Sequence, residues 1–399
     1  MARTRKSLPE QVDVAHLIST GVLASVCPRP VIDEVLLQTG RASQRNRLLP
    51  APAVVYYVMA LALWREAPLE EVLRVVCEAL QWLGGDEAKA VQASKSAISQ
   101  ARSRLGAEVM QRLAERVLRP LAAPGAPGAW YRGWRVMALD GSCMDVADES
   151  ANAEFFGYPT ATRGQSAFPQ ARLLGMVECG THVITAAAIA PYARSEKAMA
   201  AERLADWLDK GMLLLADRGF YSFKLWQSAR ASQAALLWRV TSSLKLPRQQ
   251  LLSDGSYLST IYDSADSARK HGQTVRVIEY ELAESATPTQ DSYRLLTNLL
   301  DANQAPAEEL AALYHERWEI EGVFDEFKTH LRANSTVLRS KTPDLVQQEL
   351  WGLLLAHFAI RQLMAQAAWE RGLDPDRLSF THAVRVIKRK MPQAAAFPP

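Results

Sequence analysis

Tyr314, Arg317, Glu321 and Lys328 lie within one stretch, YHERWEIEGVFDEFK. On a helix advancing about 100° per residue, they share roughly a 60° arc along about 21 Å of axis. One face thus carries a phenol, a guanidinium, a carboxylate and an ammonium in a row. Such a row suits a run of phosphates beside a metal: cations for the anionic backbone, a carboxylate for a divalent ion, a hydroxyl for one more phosphate oxygen. The plainer alternative is a surface helix with an Arg317–Glu321 pair at i,i+4. Four functional types on one narrow stripe favour the phosphate reading. Glu316, Glu319 and Glu326 point away from the arc, while Leu313, Ile320, Phe324 and Phe327 supply an apolar face to bury.

Two aspartates belong to the same chemistry. Asp140 follows the apolar run 134–139, and Asp217 follows the run 212–216 and opens Asp217-Arg218-Gly219. A carboxylate just past a buried strand is where open α/β sheets place their chemistry, although such aspartates also serve as turn formers. With Glu321 on a helix, the pair makes a trio. Carboxylates brought together repel unless their pKa values rise or a divalent cation joins them, and an oxygen-only set favours Mg²⁺ or Mn²⁺ over zinc.

The elements that must position these residues can be read in order. Apolar positions recur at helical spacing over 12–23, 54–64 and 69–83, and the Gly84–Gly85 pair ends the last of these, so residues 1–121 form an all-α N-terminal domain. Within it, SKSAISQARSRLG (94–106) carries Lys95, Arg102 and Arg104 on a polar side. Two readings fit this segment equally: a DNA-reading helix, or a solvated helix of a small bundle. The segment 122–129, AAPGAPGA, breaks both helix and strand and is expected to be a linker. Beyond it, runs at 134–139, 173–177 and 182–189 suggest an antiparallel meander, followed by a helix opened by Ser195-Glu196. Residues 130–341 then form an α/β catalytic domain with a β-rich insertion at about 235–300. Arg239, Lys245, Arg248, Tyr257, Tyr293 and Arg294 in the insertion could line a nucleic-acid groove, and serve equally well as ordinary strand residues. Residues 342–399 return to helix and end in a Pro-rich, frayed tail.

Composition sets bounds. In 399 residues, 48% hydrophobic and 22% charged is ordinary for a globular chain and excludes wholesale disorder. The net charge of +3 is small, but basic residues cluster at Arg3, Arg5 and Lys6, at Arg41, Arg45 and Arg47, and at Arg385, Lys388, Arg389 and Lys390, which suits a polyanionic partner. Cys27, Cys77, Cys143 and Cys179 have neither disulfide nor zinc-ligand spacing, and a reducing compartment fits them. The start lacks the apolar core of a secretory signal, and the runs 53–64 and 351–360 are too short for a bilayer. A cytoplasmic protein without membrane contact is expected.

ALDGS around Asp140, LLADRGFYS around Asp217 and the spacing Tyr-x2-Arg-x3-Glu-x6-Lys from Tyr314 to Lys328 resemble the DDE transposases of the IS4 group, whose signature is that last series. The likeness runs from about Trp134 to Leu331, with SxFPQxR at 166–172 as a further similarity. It implies an RNase H-like catalytic domain with a β-strand insertion, and two Mg²⁺ ions held by Asp140, Asp217 and Glu321 for two-metal phosphoryl transfer. It also implies that Tyr314, Arg317 and Lys328 hold phosphates near the transposon end. The family's base-stacking tryptophan, 21 positions before the signature tyrosine, corresponds here to Tyr293, which is aromatic but not Trp. Base flipping and a hairpin intermediate therefore do not follow from the resemblance alone.

The function expected is a transposase that binds terminal inverted repeats through the first domain, with Arg102 and Arg104 on its DNA-facing helix. It would cut and join the ends to target DNA as a homodimer. Two alternatives are a DNA-binding repressor or host factor derived from such an enzyme, and a nuclease of the same fold without strand transfer. The carboxylate trio favours the transposase, because a binding module has no use for a metal cage.

Overall fold

The computed structural model describes residues 21–43, 49–84, 93–161, 164–281, 293–330 and 337–390. Arg3, Arg5, Lys6, Arg45, Arg47, Gly85 and the Pro-rich tail lie outside them.

The N-terminal part is helical: α1 (Gly21–Val26), α2 (Arg29–Gln38), α3 (Ala51–Leu63), α4 (Leu69–Gly84), α5 (Lys95–Leu105) and α6 (Ala107–Val117). Proline at the first turns of α2 and α3 costs no hydrogen bond there, and Ser94 caps α5 by accepting from the Ala97 N–H at 3.2 Å. Helix α3 is apolar nearly all round and is buried nearly all round, as such a helix must be. What buries it is α12 (Pro343–Trp369), a long helix that also packs on α1 and α6. The apolar run 351–360 is the middle of α12 and is buried.

After β1 (Trp130–Tyr131) come β2 (Trp134–Val146), α7 (Ser150–Phe156), a small hairpin of β3 (Thr160–Ala161) and β4 (Gly164–Gln165), β5 (Gln170–Glu178), β6 (Val183–Pro191) and α8 (Glu196–Trp207). Then follow β7 (Met212–Ala216), α9 (Phe223–Ala231), β8 (Ala235–Arg239), β9 (Gln250–Leu251), β10 (Tyr257–Ile261), β11 (Gln273–Tyr280) and β12 (Tyr293–Thr297). The chain closes with α10 (Ala307–His315), α11 (Trp318–Asp325), a π-helical turn (Glu326–His330), β13 (Val337–Leu338), α12, a 3₁₀ turn (Pro375–Arg377) and α13 (Phe380–Lys390). One sheet runs in the order β6-β5-β2-β7-β8-β12-β11-β10-β9, with β1 and β13 also paired to β2. Strands β2, β5 and β6 form the expected antiparallel meander, while β7 and β8 join β2 in parallel.

Period-two alternation sends Val136 and Ala138 to the face covered by α11 and α12, and Met137 and Leu139 to the face covered by α8 and α9. Helices on both faces of a partly parallel sheet make an α/β/α layering, which fits an RNase H-like fold. The strands expected as a β-rich insertion at about 235–300, β8 through β12, prolong the same sheet. The segment 122–129 is also tied down. Glu178 accepts the Leu121 and Ala122 N–H groups at 2.9 and 3.0 Å, and Arg135 bonds both Glu178 and the Ala122 carbonyl. Gly128 and Gly180 meet so closely that a Cβ on Gly180 would fall 2.7 Å from the Gly128 carbonyl carbon. Proline and glycine here shape an anchored crossing.

Candidate active site

Strands β2 and β7 run parallel, and their last paired residues are Leu139 and Ala216. The next residue on each is an aspartate, Asp140 on one and Asp217 on the other. Asp217 leaves its strand into a turn closed by Phe220 N–H on its carbonyl. Asp140 does not lie past a strand end as its sequence suggested: β2 continues to Val146 along β5, and only the β7 side falls away. This notch at the β2/β7 edge is what exposes the two carboxylates together.

Glu321 arrives on α11, which packs through Ile320, Val323 and Phe324 on the sheet. The long single helix expected over 314–328 is in fact segmented. Bonds of the i→i−3 kind at Glu316, Arg317, Glu319 and Ile320 tighten the joint between α10 and α11, and the π turn widens the backbone from Glu326. This joint drives Arg317 inward, where it is 7% exposed. Its guanidinium lies 3.8 Å from Asp140 and 3.4 Å from Glu321. Tyr314 directs its hydroxyl at Asp217 Oδ1 and the Ala216 carbonyl, each at 3.5 Å.

Charge explains the arrangement. Burial pushes the Asp140 carboxyl up to about 6; the Gly141 N–H and Arg317 pull it back, and the negative charges of Glu196 and Glu321 add to the rise. Burial works against the Arg317 charge, yet Tyr314, Asp217, Asp140 and Glu321 outweigh it and raise its pKa. One guanidinium thus stands among three carboxylates, which are not all within 4.8 Å of one another. The set is under-neutralised and purely oxygen-donating, so its chemistry fits a hard divalent cation.

Residues 132–359 match the transposase DDE domain, and residues 17–115 match the insertion element 4 transposase N-terminal domain. The chain belongs to the IS4 family of DDE transposases. Over 364 residues it is 28% identical to transposase InsG for insertion sequence element IS4 of Escherichia coli K12, covering 90% of this chain and 80% of that one. It is 29% identical over 205 residues to the putative transposase InsZ of the same strain, covering 51% of this chain and 65% of that one. In fold it resembles piggyBac transposase, solved as a synaptic complex with hairpin DNA, at a TM-score of 0.53 and 8% identity, over 96% of this chain and 82% of that chain. The chain is therefore a DDE transposase, of a domain class that works with divalent metal ions.

Other expected site residues of the transposase fall in different places. Lys328 is exposed on the π turn, and its charge reaches Cys143 on β2. Tyr314 is only 2% exposed, so its hydroxyl addresses Asp217 and leaves no open face for a phosphate. Trp318, next in sequence to Arg317, is 52% exposed beside the Arg317 guanidinium. Tyr293 stacks on Tyr280 with the Arg239 guanidinium 4.2 Å from its ring centroid, so a base would compete with a cation already in place. Arg248 and Arg294 both bond Glu279, which also takes the hydroxyl of the buried Tyr257. Those three brace the sheet rather than line a groove.

Helix α5 divides its arginines. Arg104 is exposed. Arg102 is 5% exposed and donates to Gln348 at 2.8 Å and to Ser340 and the Leu345 carbonyl at 3.0 Å, so it faces α12 and not DNA. Its expected place on a DNA-facing surface is overturned, because its four-residue offset from Ile98 puts it on the buried side.

Sequence reasoning missed the polar clasp behind the signature helix. Glu326, read as pointing away from function, is buried and takes bonds from Arg361 and, at 2.9 Å, from His357. Glu319 accepts the Gly180 N–H at 2.6 Å, and its carboxylate, that of Asp376 and His182 Nε2 gather within 4.8 Å. Arg361 donates to His182 Nδ1 at 2.7 Å, which leaves the neutral ring's proton on Nε2. Nε2 lies 3.3 Å from Glu319 and 3.2 Å from Asp376 without a hydrogen bond to either, and since the ring's lone pair is on the Nδ1 that Arg361 occupies, Nε2 has none to offer a metal. The alternation of Glu319 and Glu326 with apolar Ile320, Phe324 and Phe327 is the signal that both faces of this helix are engaged.

Proposed function

We propose that this transposase binds the terminal inverted repeats of an insertion sequence, cuts them and joins them to target DNA, with Mg²⁺ or Mn²⁺ held by Asp140, Asp217 and Glu321. The observation that carries the reading is the shared register of Asp140 and Asp217 at one notch, with Glu321 joined to Asp140 through Arg317. Divalent ions bound there supply activation of a water or 3′-hydroxyl and stabilisation of the leaving oxygen.

The chain's own residues do the rest. Asp140, ionised above about pH 6, and Glu321 would hold the cation together with Asp217, which Tyr314 orients; Arg317 spans Asp140 and Glu321 and would be available to a phosphate oxygen with a divalent ion bound by the carboxylates. Lys328, at the exposed end of the signature, grips the same strand. End binding falls to Arg104 and to Lys95, Ser96, Ser99, Gln100 and Ser103, the exposed face of α5. Arg102 supports that helix from behind. Tyr293 offers a stacking ring only after Arg239 moves to a phosphate. Cutting two ends in one event requires two active sites, which a homodimer supplies.

The test is joining of a labelled terminal repeat, taken from DNA flanking the coding region, to a plasmid with and without divalent metal. Asp140→Ala, Asp217→Ala and Glu321→Gln should each abolish cutting and leave end binding in chelator intact. Persistent cutting removes that residue from the centre, and metal-independent joining rejects the mechanism.

A further inference from the structure

Gly141, the residue after the first aspartate, has no room for a side chain. A Cβ there would lie 2.3 Å from Cδ and 2.6 Å from Oε1 of Glu196, so the carboxylate of Glu196 occupies the space beside the strand where residue 141 has only hydrogen. Glu196 opens α8 behind its cap Ser195. It approaches β2 from the face opposite to that of α11. Arg172, which pairs across from Cys143 on β5, fixes the carboxylate with a 2.7 Å bond from Nη1. Arg172 is itself aimed by the Tyr192 carbonyl, at 3.3 Å from Nε and 3.2 Å from Nη2, and lies 4.9 Å from the Tyr192 ring centroid. Its side chain is 16% exposed and that of Glu196 31%. Paired with Arg172, this half-buried carboxylate sets a fixed, partly neutralised negative charge beside the strand that carries Asp140. Glu196 stands with Arg317 and Glu321 among the charges that act on Asp140.

We infer that Glu196 is a fourth acidic group of the divalent-cation centre, a positioning residue that strengthens cation binding at Asp140 from the α8 face, with Arg172 setting its orientation and Gly141 making the room. This rests on the metal-centre reading above. It gives a function to the arginine of SxFPQxR and to the glycine that follows Asp140, neither of which the carboxylate trio employs. The adjacent charge acts through Asp140 and needs no contact with the cation, in the way outer groups tune the affinity of metal ligands.

The experiment measures Mn²⁺ binding to the full chain without DNA, by the electron paramagnetic resonance signal of free Mn²⁺, in wild type, Glu196→Gln, Glu196→Asp, Gly141→Ala and Asp140→Asn. Glu196→Gln should weaken Mn²⁺ binding by about tenfold, the lower end for outer-group changes, and Glu196→Asp should recover part of the loss. Gly141→Ala keeps every carboxylate, and the three atoms nearest its methyl all belong to the Glu196 side chain, so the fold absorbs it by swinging that side chain away. It should reproduce the loss of Glu196→Gln with an unchanged melting transition. Wild-type Mn²⁺ affinity in both Glu196→Gln and Gly141→Ala, with binding lost in Asp140→Asn, overturns the role of Glu196 and leaves the metal centre standing. Wild-type affinity in Asp140→Asn as well overturns the metal centre, and this inference with it.

Discussion

At the residue scale, the Asp140 carboxylate is held at a cost that a cation bound there would relieve. Its carboxyl is raised to about 6, so without metal its contribution to stability is full below the ordinary carboxylate pKa and is lost as pH rises through 6. Asp140→Asn removes that penalty and should stabilise the metal-free protein at pH 7 by up to about 3 kcal/mol, seen as a higher melting temperature. The gain should vanish near pH 4, and a variant that melts lower than wild type at pH 7 would contradict the account. Divalent binding requires the ionised form, so Mn²⁺ affinity should fall as pH drops through 6. That Asp140 and Asp217 would sit at neighbouring strands was legible from the apolar runs before them, and Glu321 from a signature of fixed spacing. Glu196 was not, since one glutamate after a serine cap looks like any helix start, and only the packing of α8 on β2 places it beside Asp140.

At the element scale, the signature helix is fastened on both sides. Its front carries Arg317 and Glu321, while its back is held by Glu319 at the β5–β6 turn and by Glu326 against α12. Burial alone would raise the Glu326 pKa, but bonds from His357 and Arg361 bring it below its ordinary value, and burial lowers that of His357. Both shifts have the same sign: the stability they confer is present above the ordinary pKa values and is lost as pH falls, from about 6.5 for the histidine. Glu326→Ala strands Arg361 among buried atoms and should cost about 3–5 kcal/mol. A double variant that also replaces Arg361 by Met should recover much of this, measured by denaturant unfolding; a double variant no more stable than the single would show that the clasp is not a charge pair. A helical wheel could not reveal the segmentation into α10, α11 and a π turn, because tertiary fastening at Glu319 and Glu326 selects the backbone, not local propensity.

At the scale of the whole molecule, the helical N-terminal part is built onto the catalytic sheet through α12, which α3, α5 and α6 all touch. The Pro/Gly segment between them signalled a flexible tether, but backbone groups bonded to Glu178 do not depend on linker composition and so cannot be seen in it. Arg102 is the polar centre of this junction: it donates to Gln348, Ser340 and the Leu345 carbonyl, and Gln348 returns a bond to its carbonyl at 3.0 Å. If α5 grips end DNA, its two arginines should separate cleanly by experiment. Arg102→Ala breaks buried charge-assisted bonds and should cost about 2–4 kcal/mol of stability, with the salt dependence of end binding unchanged in whatever fraction remains folded. Arg104→Ala should leave stability within about 0.5 kcal/mol and reduce the slope of log affinity against log salt by about one, the loss of a single phosphate contact. Thermal melts beside end-binding titrations at several salt concentrations read both quantities. An Arg104→Ala protein with the full wild-type slope would move the DNA contact off α5, and the rigid junction at Arg102 would then serve to orient some other part of the N-terminal helices.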